Sequence, residues 1–412
     1  MANVSSSNGL EKRPKLRFPG FDEPWNTALL SDYFVKSTKK NSDGMISNVI
    51  CNSAKQGLIP QREYFDKDIA NSDNTNGYYI IESNDFVYNP RKSADAPYGP
   101  ISSYQYPEAG IVSPLYLCFR AKREINPLYF EWYFRSSTWH RYIYMSGDSG
   151  ARHDRVSIKD DVFFAMPINV PSAKEQEKIS LFLDVIERRI ETQRTLVETL
   201  KKYKRGVISA LLSSKTNPYY SPETWKEVAL CDVASGFEYG MNAAATVYDG
   251  SHKYIRITDI DDNSHLYSQD VPVSPEGQVD EKYRVRENDI LFARTGASVG
   301  KSYRYQRSDG DLYYAGFLIR IHVNSDVNCG YVFQNTLTEA YRRWVLLESA
   351  RSGQPGINAE QYKQYRFLLP PLELQNKIST LATNLDNLIC KEENLLSQIE
   401  QVKIALLQRL FI

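Results

Sequence analysis

One glycine-rich stretch contains residue types that could hold a phosphate group. It reads Thr295-Gly-Ala-Ser-Val-Gly-Lys-Ser302 and directly follows Arg294. The phosphate-binding loop of nucleoside triphosphatases has four residues between its glycines, whereas here there are three. No acidic strand that could hold magnesium is evident in the sequence. The stretch therefore does not predict nucleotide hydrolysis. It predicts a turn that is either structural or brings Arg294 and Lys301 to DNA phosphates or a base edge.

Residues typical of catalysis or metal binding form no recognisable constellation. Asn217-Pro-Tyr-Tyr220 resembles the Asn-Pro-Pro-Tyr tetrapeptide of adenine methyltransferases, but it lacks the second proline and no glycine-rich cofactor strand precedes it. The five histidines show no metal-ligand spacing. The acidic cluster at Asp259, Asp261 and Asp262 lacks the pattern of an EF-hand calcium loop. The sequence thus predicts no catalytic residue, no metal site and no cofactor.

Side chains in loops bounded by glycine, proline and asparagine are the remaining candidates for a binding role. Binding residues concentrate in such loops because a rigid scaffold can present them to a ligand. The candidates for DNA contact are Arg91, Arg152, Arg155, Arg294, Gly296, Lys301, Arg351 and Gln354. The first three lie in the first half of the chain and the others in the second half.

Two long helices are predicted to position these loops, and each is a copy of the other. Residues 171–212 form the first copy and residues 370–412 the second. Apolar residues recur at Ile179, Leu183, Ile186, Ile190, Val197, Leu200, Val207 and Leu211, and 199 positions later at Ile378, Ala382, Leu385, Ile389, Leu396, Ile399, Leu406 and Leu410. Steps of three and four residues predict a heptad seam along each helix.

Polar residues interrupt both seams at matching positions. Gln193 corresponds to Glu392, and Lys204 corresponds to Lys403. In a parallel pair of helices the two lysines would face each other without an acceptor. In an antiparallel pair Lys204 can face Glu392 while Gln193 faces Lys403, and the apolar positions also fall into line. The seams therefore predict an antiparallel coiled coil with pseudo-twofold symmetry. The alternative is that both lysines extend outward to solvent.

A globular domain precedes each helix, and the two domains begin alike. Trp25, Leu30 and Asp32 recur 200 residues later as Trp225, Leu230 and Asp232. Short strand-like runs and one helical patch follow in the same order in both copies, which predicts an α+β fold with two similar mixed α/β domains. The predicted boundaries are a disordered tail 1–14, a domain 15–170, a helix 171–212, a linker 213–221, a domain 222–369 and a helix 370–412.

Composition narrows the functional class only slightly. The chain has 412 residues, with 50 lysines and arginines balanced by 50 aspartates and glutamates. Zero net charge argues mildly against a purely electrostatic nucleic-acid binder, although a local basic patch could still attract phosphate. The five scattered cysteines predict free thiols in a reducing cytoplasm. No signal peptide and no apolar run of 18 residues is evident, so we expect a cytoplasmic protein.

The doubled arrangement resembles the specificity (S) subunit of Type I restriction-modification enzymes. The segment from Pro14 to Phe21 with Trp25 resembles the start of that family's first target-recognition domain. Residues 288–302 resemble its recurrent DIL-x-x-R-x-G-x-x-x-G-K stretch, and residues 369–378 resemble the opening of its helices. Departures are the single proline at Pro171 and Leu374 in place of the usual glutamate, which affect only the start of each helix.

The resemblance implies a recognition subunit without catalysis of its own. Each target-recognition domain would read one half of a bipartite sequence in double-stranded DNA, and the helices would set the spacer. The partners would be two methyltransferase (M) subunits and motor-nuclease (R) subunits, which would carry S-adenosylmethionine, ATP and magnesium. The alternatives are a self-contained adenine DNA methyltransferase and a coiled-coil scaffold that reads no DNA.

Overall fold

The computed structural model describes residues 13–64, 75–147, 154–350 and 355–412. The chain divides into two compact units. Unit 1 comprises Met1–Arg194 and Asn394–Ile412, and unit 2 comprises Thr195–Glu393. Each unit therefore combines a globular domain with part of both long helices. Of the predicted tail, residues 1–12 lie outside the described residues, whereas Pro14 is buried.

The domain of unit 1 is built from short strands around one four-stranded sheet. Its strands are β1 (Asn26–Leu29), β2 (Phe34–Lys36), β3 (Ile50–Ser53), β4 (Gly57–Pro60), β5 (Tyr79–Ile81), β6 (Phe86–Tyr88), β7 (Ile101–Ser103), β8 (Gly110–Val112), β9 (Leu117–Ala121) and β10 (Pro167–Val170). Its short helices are α1 (Leu30–Tyr33), α2 (Gln61–Tyr64), α3 (Pro127–Arg135), α4 (His140–Ser146) and α5 (Asp160–Phe164). The sheet has the order β2-β9-β6-β7, and β1 pairs with β10.

Aromatic side chains fill the space between this sheet and helix α3. The ring of Phe34 lies 5.0–5.3 Å from those of Phe86, Phe119 and Phe130, at edge-to-face angles that aromatic quadrupoles favour. Trp25, the residue that marks the start of the domain in the sequence, is 1% exposed in the same core. The sequence pattern thus marks a core anchor.

Unit 2 repeats the design with loops of different length. Its strands are β11 (Lys226–Ala229), β12 (Ala234–Tyr239), β13 (Ala245–Val247), β14 (Lys253–Ile255), β15 (Val273–Pro275), β16 (Asp289–Ala293), β17 (Ser302–Arg304), β18 (Leu312–Tyr314), β19 (Leu318–Val323) and β20 (Arg366–Leu369). The helices of its domain are α7 (Leu230–Val233), α8 (Cys329–Asn335), α9 (Glu339–Ser349) and α10 (Ala359–Lys363). The sheet order β12-β19-β16-β17 and the β11–β20 pair match unit 1.

Local details show that the two domains are copies. Asn84 and Asn288 both adopt φ 69° at the last position of the turn that leads into β6 and β16. Asn126 and Asn328 cap α3 and α8 through the same side-chain acceptor. The predicted helical patch of the first domain is divided, because α3 and α4 are separated at residues 136–139. The predicted α+β class with two similar mixed domains is confirmed.

The long helices are α6 (Ala173–Leu211) and α11 (Leu372–Leu410), each of 39 residues. In unit 1, Ile179 and Leu183 share a core with Leu410 near the end of α11. In unit 2, Ile208 near the end of α6 shares a core with Ile378 near the start of α11. The helix segments within each unit are therefore antiparallel, as the seams predicted.

Ion pairs between the helices differ from the predicted facing residues. Lys204 pairs with Asp386 at 2.5 Å rather than with Glu392. Lys403 pairs with Glu187 at 2.8 Å rather than with Gln193. The lysine stems lie along the seam, but each ammonium group reaches sideways to a carboxylate at the wetter flank, where desolvation costs less. Gln193 is 1% exposed and fills its gap in the seam.

The entrances to the two helices are held by equivalent glutamines. Gln176 and Gln375 each donate from the side-chain amide to the carbonyl of the proline five residues earlier, Pro171 and Pro370. In unit 1 the chain before β1 is also clamped, because Arg17 forms a two-pronged ion pair with Glu175 at 2.8 Å. Glu175 is 1% exposed, so the pair exchanges hydration for two charge-assisted hydrogen bonds.

Candidate nucleic-acid interface

The segment that follows β6 in unit 1 and β16 in unit 2 carries candidate residues in both domains. In unit 1, residues 90–92 pair with residues 154–156. The amide of Lys92 donates to Asp154 at 2.8 Å, and that of Val156 donates to Pro90 at 2.9 Å. Arg91 and Arg155 form the antiparallel bridge between these hydrogen bonds. We call this pairing ladder 1. It brings together two arginines that lie 64 positions apart in the sequence.

Unit 2 has the same pairing, which we call ladder 2. Residues 294–296 pair with residues 355–357, and Thr295 bridges Gly356. The amide of Ile357 donates to Arg294 at 2.9 Å, and that of Gly296 donates to Pro355 at 3.2 Å. Ladder 1 pairs the segment after β6, and ladder 2 the segment after β16, with a segment much later in the chain. This pairing fixes the backbone and leaves the side chains free to differ between the domains.

The arginines of ladder 1 are differently exposed. Arg91 is exposed, whereas 32% of the Arg155 side chain is accessible. The Nε of Arg155 is buried without a hydrogen-bond partner among the described residues, and it lies 3.9 Å from the carboxylate of Asp154. That distance permits Coulomb attraction but no hydrogen bond. At least one N–H donor of Arg155 therefore has no acceptor among the described residues.

In ladder 2, the guanidinium of Arg294 stacks on an aromatic ring. Its Cζ lies 4.8 Å from the ring centroid of Tyr239 at the end of β12. The Nε of Arg294 has no hydrogen-bond partner in the described part of the chain. Tyr239 is 55 positions from Arg294, and sequence inspection missed it because no spacing rule connects the two.

Lys301, the other predicted cation of this stretch, is engaged within its own domain. Its ammonium group donates to the carbonyl of Ile260 at 2.9 Å and pairs with Asp262. Only 10% of its side chain is exposed. Lys301 therefore anchors the loop around residues 257–262. Two of the three aspartates of the acidic cluster therefore have cationic partners, because Asp262 pairs with Lys301 and Asp259 pairs with Arg256.

The glycine-rich stretch has a structural explanation. Gly296–Ser298 form a single 3-10 turn. Gly300 adopts φ +85°, and a Cβ built there would lie 2.6 Å from the side chain of Val345 in α9. Gly296 adopts φ +75°, and a Cβ built there would meet no described atom within 4 Å. The turn is thus required by backbone conformation and helix packing, while its first glycine leaves room for close approach.

Three of the predicted contact residues cannot be placed. Arg152, Arg351 and Gln354 lie outside the described residues. Within the described ranges, no group of three or more histidine, cysteine, aspartate or glutamate side chains is arranged to hold a metal ion. No described helix is both long and apolar enough to cross a membrane.

Known proteins share both the sequence signature and the fold. Residues 222–401 match the family model "Type I restriction modification DNA specificity domain". The specificity subunit of the Type I restriction enzyme StySPI from Salmonella potsdam is 23% identical over 309 residues, which are 71% of this chain. The alignment covers 66% of that relative, slightly less than two thirds of its length.

Two solved structures match nearly the whole chain. One comes from work on complex assembly and conformational transition of the type I R-M system; it has a TM-score of 0.60 at 15% identity and covers 96% of this chain and 99% of its own. The other is the S subunit of a Type I restriction-modification system from M. genitalium, with a TM-score of 0.57 at 12% identity, covering 97% and 99%. The resemblance to Type I specificity subunits is confirmed, as is the two-domain fold.

Proposed function

We propose that this chain is a non-catalytic specificity subunit that reads a bipartite sequence in double-stranded DNA. Each domain would read one half-site, and α6 and α11 would hold the domains at the distance that sets the spacer. The observation that carries the proposal is the duplicated ladder. The same backbone pairing occurs in both domains, but it presents Arg91 and Arg155 in one and Arg294 in the other.

Two domains that share the same backbone pairing but present different side chains are suited to binding two different DNA sequences. The backbone hydrogen bonds of a ladder fix where a side chain starts, and the side chain then determines which base edge it can contact. A specific base contact of this kind contributes about 1–3 kcal/mol of discrimination against a wrong base. The engaged ammonium of Lys301 directs the proposal toward Arg91, Arg155 and Arg294, with Arg152, Arg351 and Gln354 as further candidates.

The proposal assigns chemistry to partner subunits. Two methyltransferase subunits would dock on the long helices and supply S-adenosylmethionine, and motor-nuclease subunits would add ATP and magnesium. Zero net charge fits a chain that binds DNA weakly alone and tightly within a complex. The rival enzyme reading requires methyl transfer by the chain alone.

Domain exchange tests the proposal. Residues 222–369 are replaced by the corresponding segment of a homologous protein, and the chain is expressed with its methyltransferase partner in a host whose genomic methylation is mapped. We expect one half of the methylated sequence to change and the other half to stay, because each domain reads its own half-site.

The matched control is replacement of residues 15–170, which should change the opposite half. A change in both halves after either replacement would contradict separate reading by the two domains. Methyl transfer by the purified chain without partners would refute the non-catalytic role, and an unaltered methylation pattern in the absence of this chain would favour the scaffold alternative.

A further inference from the structure

Arg294 differs from most arginines of its domain in having no carboxylate partner among the described residues. Arg256, Arg284 and Arg320 each pair with a carboxylate of the same domain. The described residues offer Arg294 no ion pair and no side-chain hydrogen bond; its recorded side-chain contact there is the ring of Tyr239, 4.8 Å from Cζ. The buried Nε–H without an acceptor costs stability, and the terminal N–H groups of the guanidinium remain available to a ligand.

Tyr239 is itself fixed. Its hydroxyl accepts a hydrogen bond from the amide of Ala359 at 3.2 Å, which connects the end of β12 to the start of α10. The residue is 42% exposed, so the ring stands at the surface with one edge tied down. A surface ring anchored at its hydroxyl provides a defined plane on which a guanidinium can lie.

The backbone of Arg294 is fixed as well. Its amide donates to the carbonyl of Phe317 at 3.1 Å, and its carbonyl accepts from the amide of Ile357 at 2.9 Å. The backbone is thus held by ladder 2, and the guanidinium carbon is held over the ring of Tyr239. Next to it, a Cβ built on Gly296 would meet no described atom within 4 Å, which suits close approach of a ligand to the backbone.

A guanidinium presented edge-on is suited to guanine. Its two parallel N–H groups match the O6 and N7 acceptors on the major-groove edge of that base, and stacking reduces the entropy lost when the pair forms. We infer that Tyr239 is a positioning residue that holds Arg294 to read a guanine in the half-site of the second domain. The inference rests on the proposed function and names the base that this site takes.

The described part of the first domain has no such arginine at the equivalent position. Pro90 occupies the position of Arg294, because each accepts the amide of the equivalent ladder residue, Val156 or Ile357, at 2.9 Å. Pro90 instead borders an open pocket of about 300 Å³ that Tyr88, Tyr116 and other residues line. Guanine reading through a stacked arginine is therefore assigned to one half-site only.

The test uses the complex of this chain with its methyltransferase partner. A randomised duplex DNA pool first defines the bound sequence, and duplexes then carry 7-deazaguanine at single guanines of that sequence. Wild type should lose affinity at one position of the second half-site, because 7-deazaguanine lacks the N7 acceptor. We expect Arg294→Ala to abolish that sensitivity and to lower discrimination at the same base pair by roughly 5- to 150-fold.

Substitutions at Tyr239 separate positioning from simple structural support. Tyr239→Ala should lower discrimination at the same base pair, and Tyr239→Phe, which keeps the ring, should recover most of it. Adding Tyr239→Ala to Arg294→Ala should cause no further loss there. Selectivity in the first half-site should persist in all these variants, which also shows that the complex is folded.

Several outcomes would overturn the inference. One is a wild-type complex that tolerates 7-deazaguanine throughout the second half-site. Another is a Tyr239→Ala variant that weakens binding equally for all duplexes. An enriched bipartite site with unchanged preferences in both variants would overturn the inference alone, whereas a wild-type complex that enriches no sequence would overturn the proposed function with it.

Discussion

At the scale of single residues, the two domains differ in how they pair one buried carboxylate. Asp85 in unit 1 and Asp289 in unit 2 are 1% and 2% exposed. Each accepts a backbone amide three residues earlier, at 2.8 Å and 2.7 Å. Asp85 is bound by both prongs of Arg120, whereas Asp289 lies 2.8 Å from Nδ1 of His322. The same strand position thus holds a permanent cation in one copy and a titratable ring in the other.

The buried carboxylate of Asp289 makes the stability of unit 2 depend on pH. Burial raises the pKa of Asp289, and the hydrogen bonds from His322 and the Arg286 amide act in the opposite direction. Because the folded state then holds this proton more tightly than the unfolded chain does, the ionised carboxylate costs stability. The free energy of unfolding falls as pH rises from the unfolded value of about 4 through the folded pKa.

Removing the ring of His322 should therefore be costly at neutral pH. We expect His322→Ala to reduce the local stability of unit 2 by up to about 1 kcal/mol at pH 7, because the ionised carboxylate of Asp289 loses a partner whose side chain is 49% exposed. The loss should shrink toward pH 4, where Asp289 becomes protonated. Hydrogen exchange of peptides covering β16 and β19, followed at several pH values, measures it.

The control for this prediction is Arg120→Ala, whose effect should appear in β6 and β9 instead. A loss in His322→Ala that is equal at pH 7 and pH 4, or that spreads to β6 and β9, would contradict the account.

At the scale of elements, ion pairs flank the seam of the long helices in a repeated pattern. Lys204–Asp386 in unit 2 and Lys403–Glu187 in unit 1 are equivalent pairs with the same polarity. Lys201–Glu393 at 2.8 Å and Arg194–Glu400 at 2.7 Å also occupy equivalent positions, but with the charges exchanged, so that α6 carries the cation and α11 the anion in both pairs. The duplicated positions have therefore kept complementarity while the residue types diverged.

Charge reversal tests which residues face each other. Lys204→Glu should destabilise unit 2, and Asp386→Lys introduced with it should restore stability, with a coupling energy of up to about 1 kcal/mol for such partly exposed pairs. Combining Lys204→Glu with Glu392→Lys, the pair predicted from the sequence, should restore less. Urea unfolding of wild type, of the three single substitutions and of the two double variants gives the coupling energies.

The pairing of Lys204 with Asp386 is wrong if Glu392→Lys rescues Lys204→Glu better than Asp386→Lys does. High salt should reduce the coupling of the true pair, because exposed charges are screened.

At the scale of the whole molecule, two domains and two helices follow one another in a duplicated order. Each helix has 39 residues and so spans about 58 Å at 1.5 Å per residue. Under the proposed function this length sets the number of unread base pairs between the half-sites. Four added residues lengthen a helix by about 6 Å, which corresponds to nearly two base pairs of 3.4 Å.

Insertion of four residues near the middle of both helices should thus lengthen the preferred spacer by one or two base pairs and leave both half-sites unchanged. Methylation mapping with the partner subunit measures the spacer directly. The matched control places four residues in the linker 213–221, which lengthens neither helix and should leave the spacer as it was. A spacer that stays constant after the helix insertions would exclude the ruler role.

Much of the architecture could be predicted from the sequence because it depends on local periodicity and on repetition. The heptad steps from Ile179 onward define the buried face of α6 regardless of what packs against it. A duplication of 199 residues then requires the second helix and the second domain to follow. Trp25 and Trp225 recur at equivalent places of the two copies for the same reason, and both are buried, at 1% and 5% exposure.

Only the tertiary structure determined which side chains meet. Lys204 reaches Asp386 because a long side chain in a seam leans toward the nearest wet carboxylate, and heptad counting cannot predict that lean. The ammonium group of Lys301 contacts Ile260 and Asp262, and the guanidinium of Arg294 lies over the ring of Tyr239. Both contacts join segments that are far apart in the chain. Sequence periodicity fixes which face of an element is buried, whereas contacts across elements depend on the three-dimensional packing of all of them.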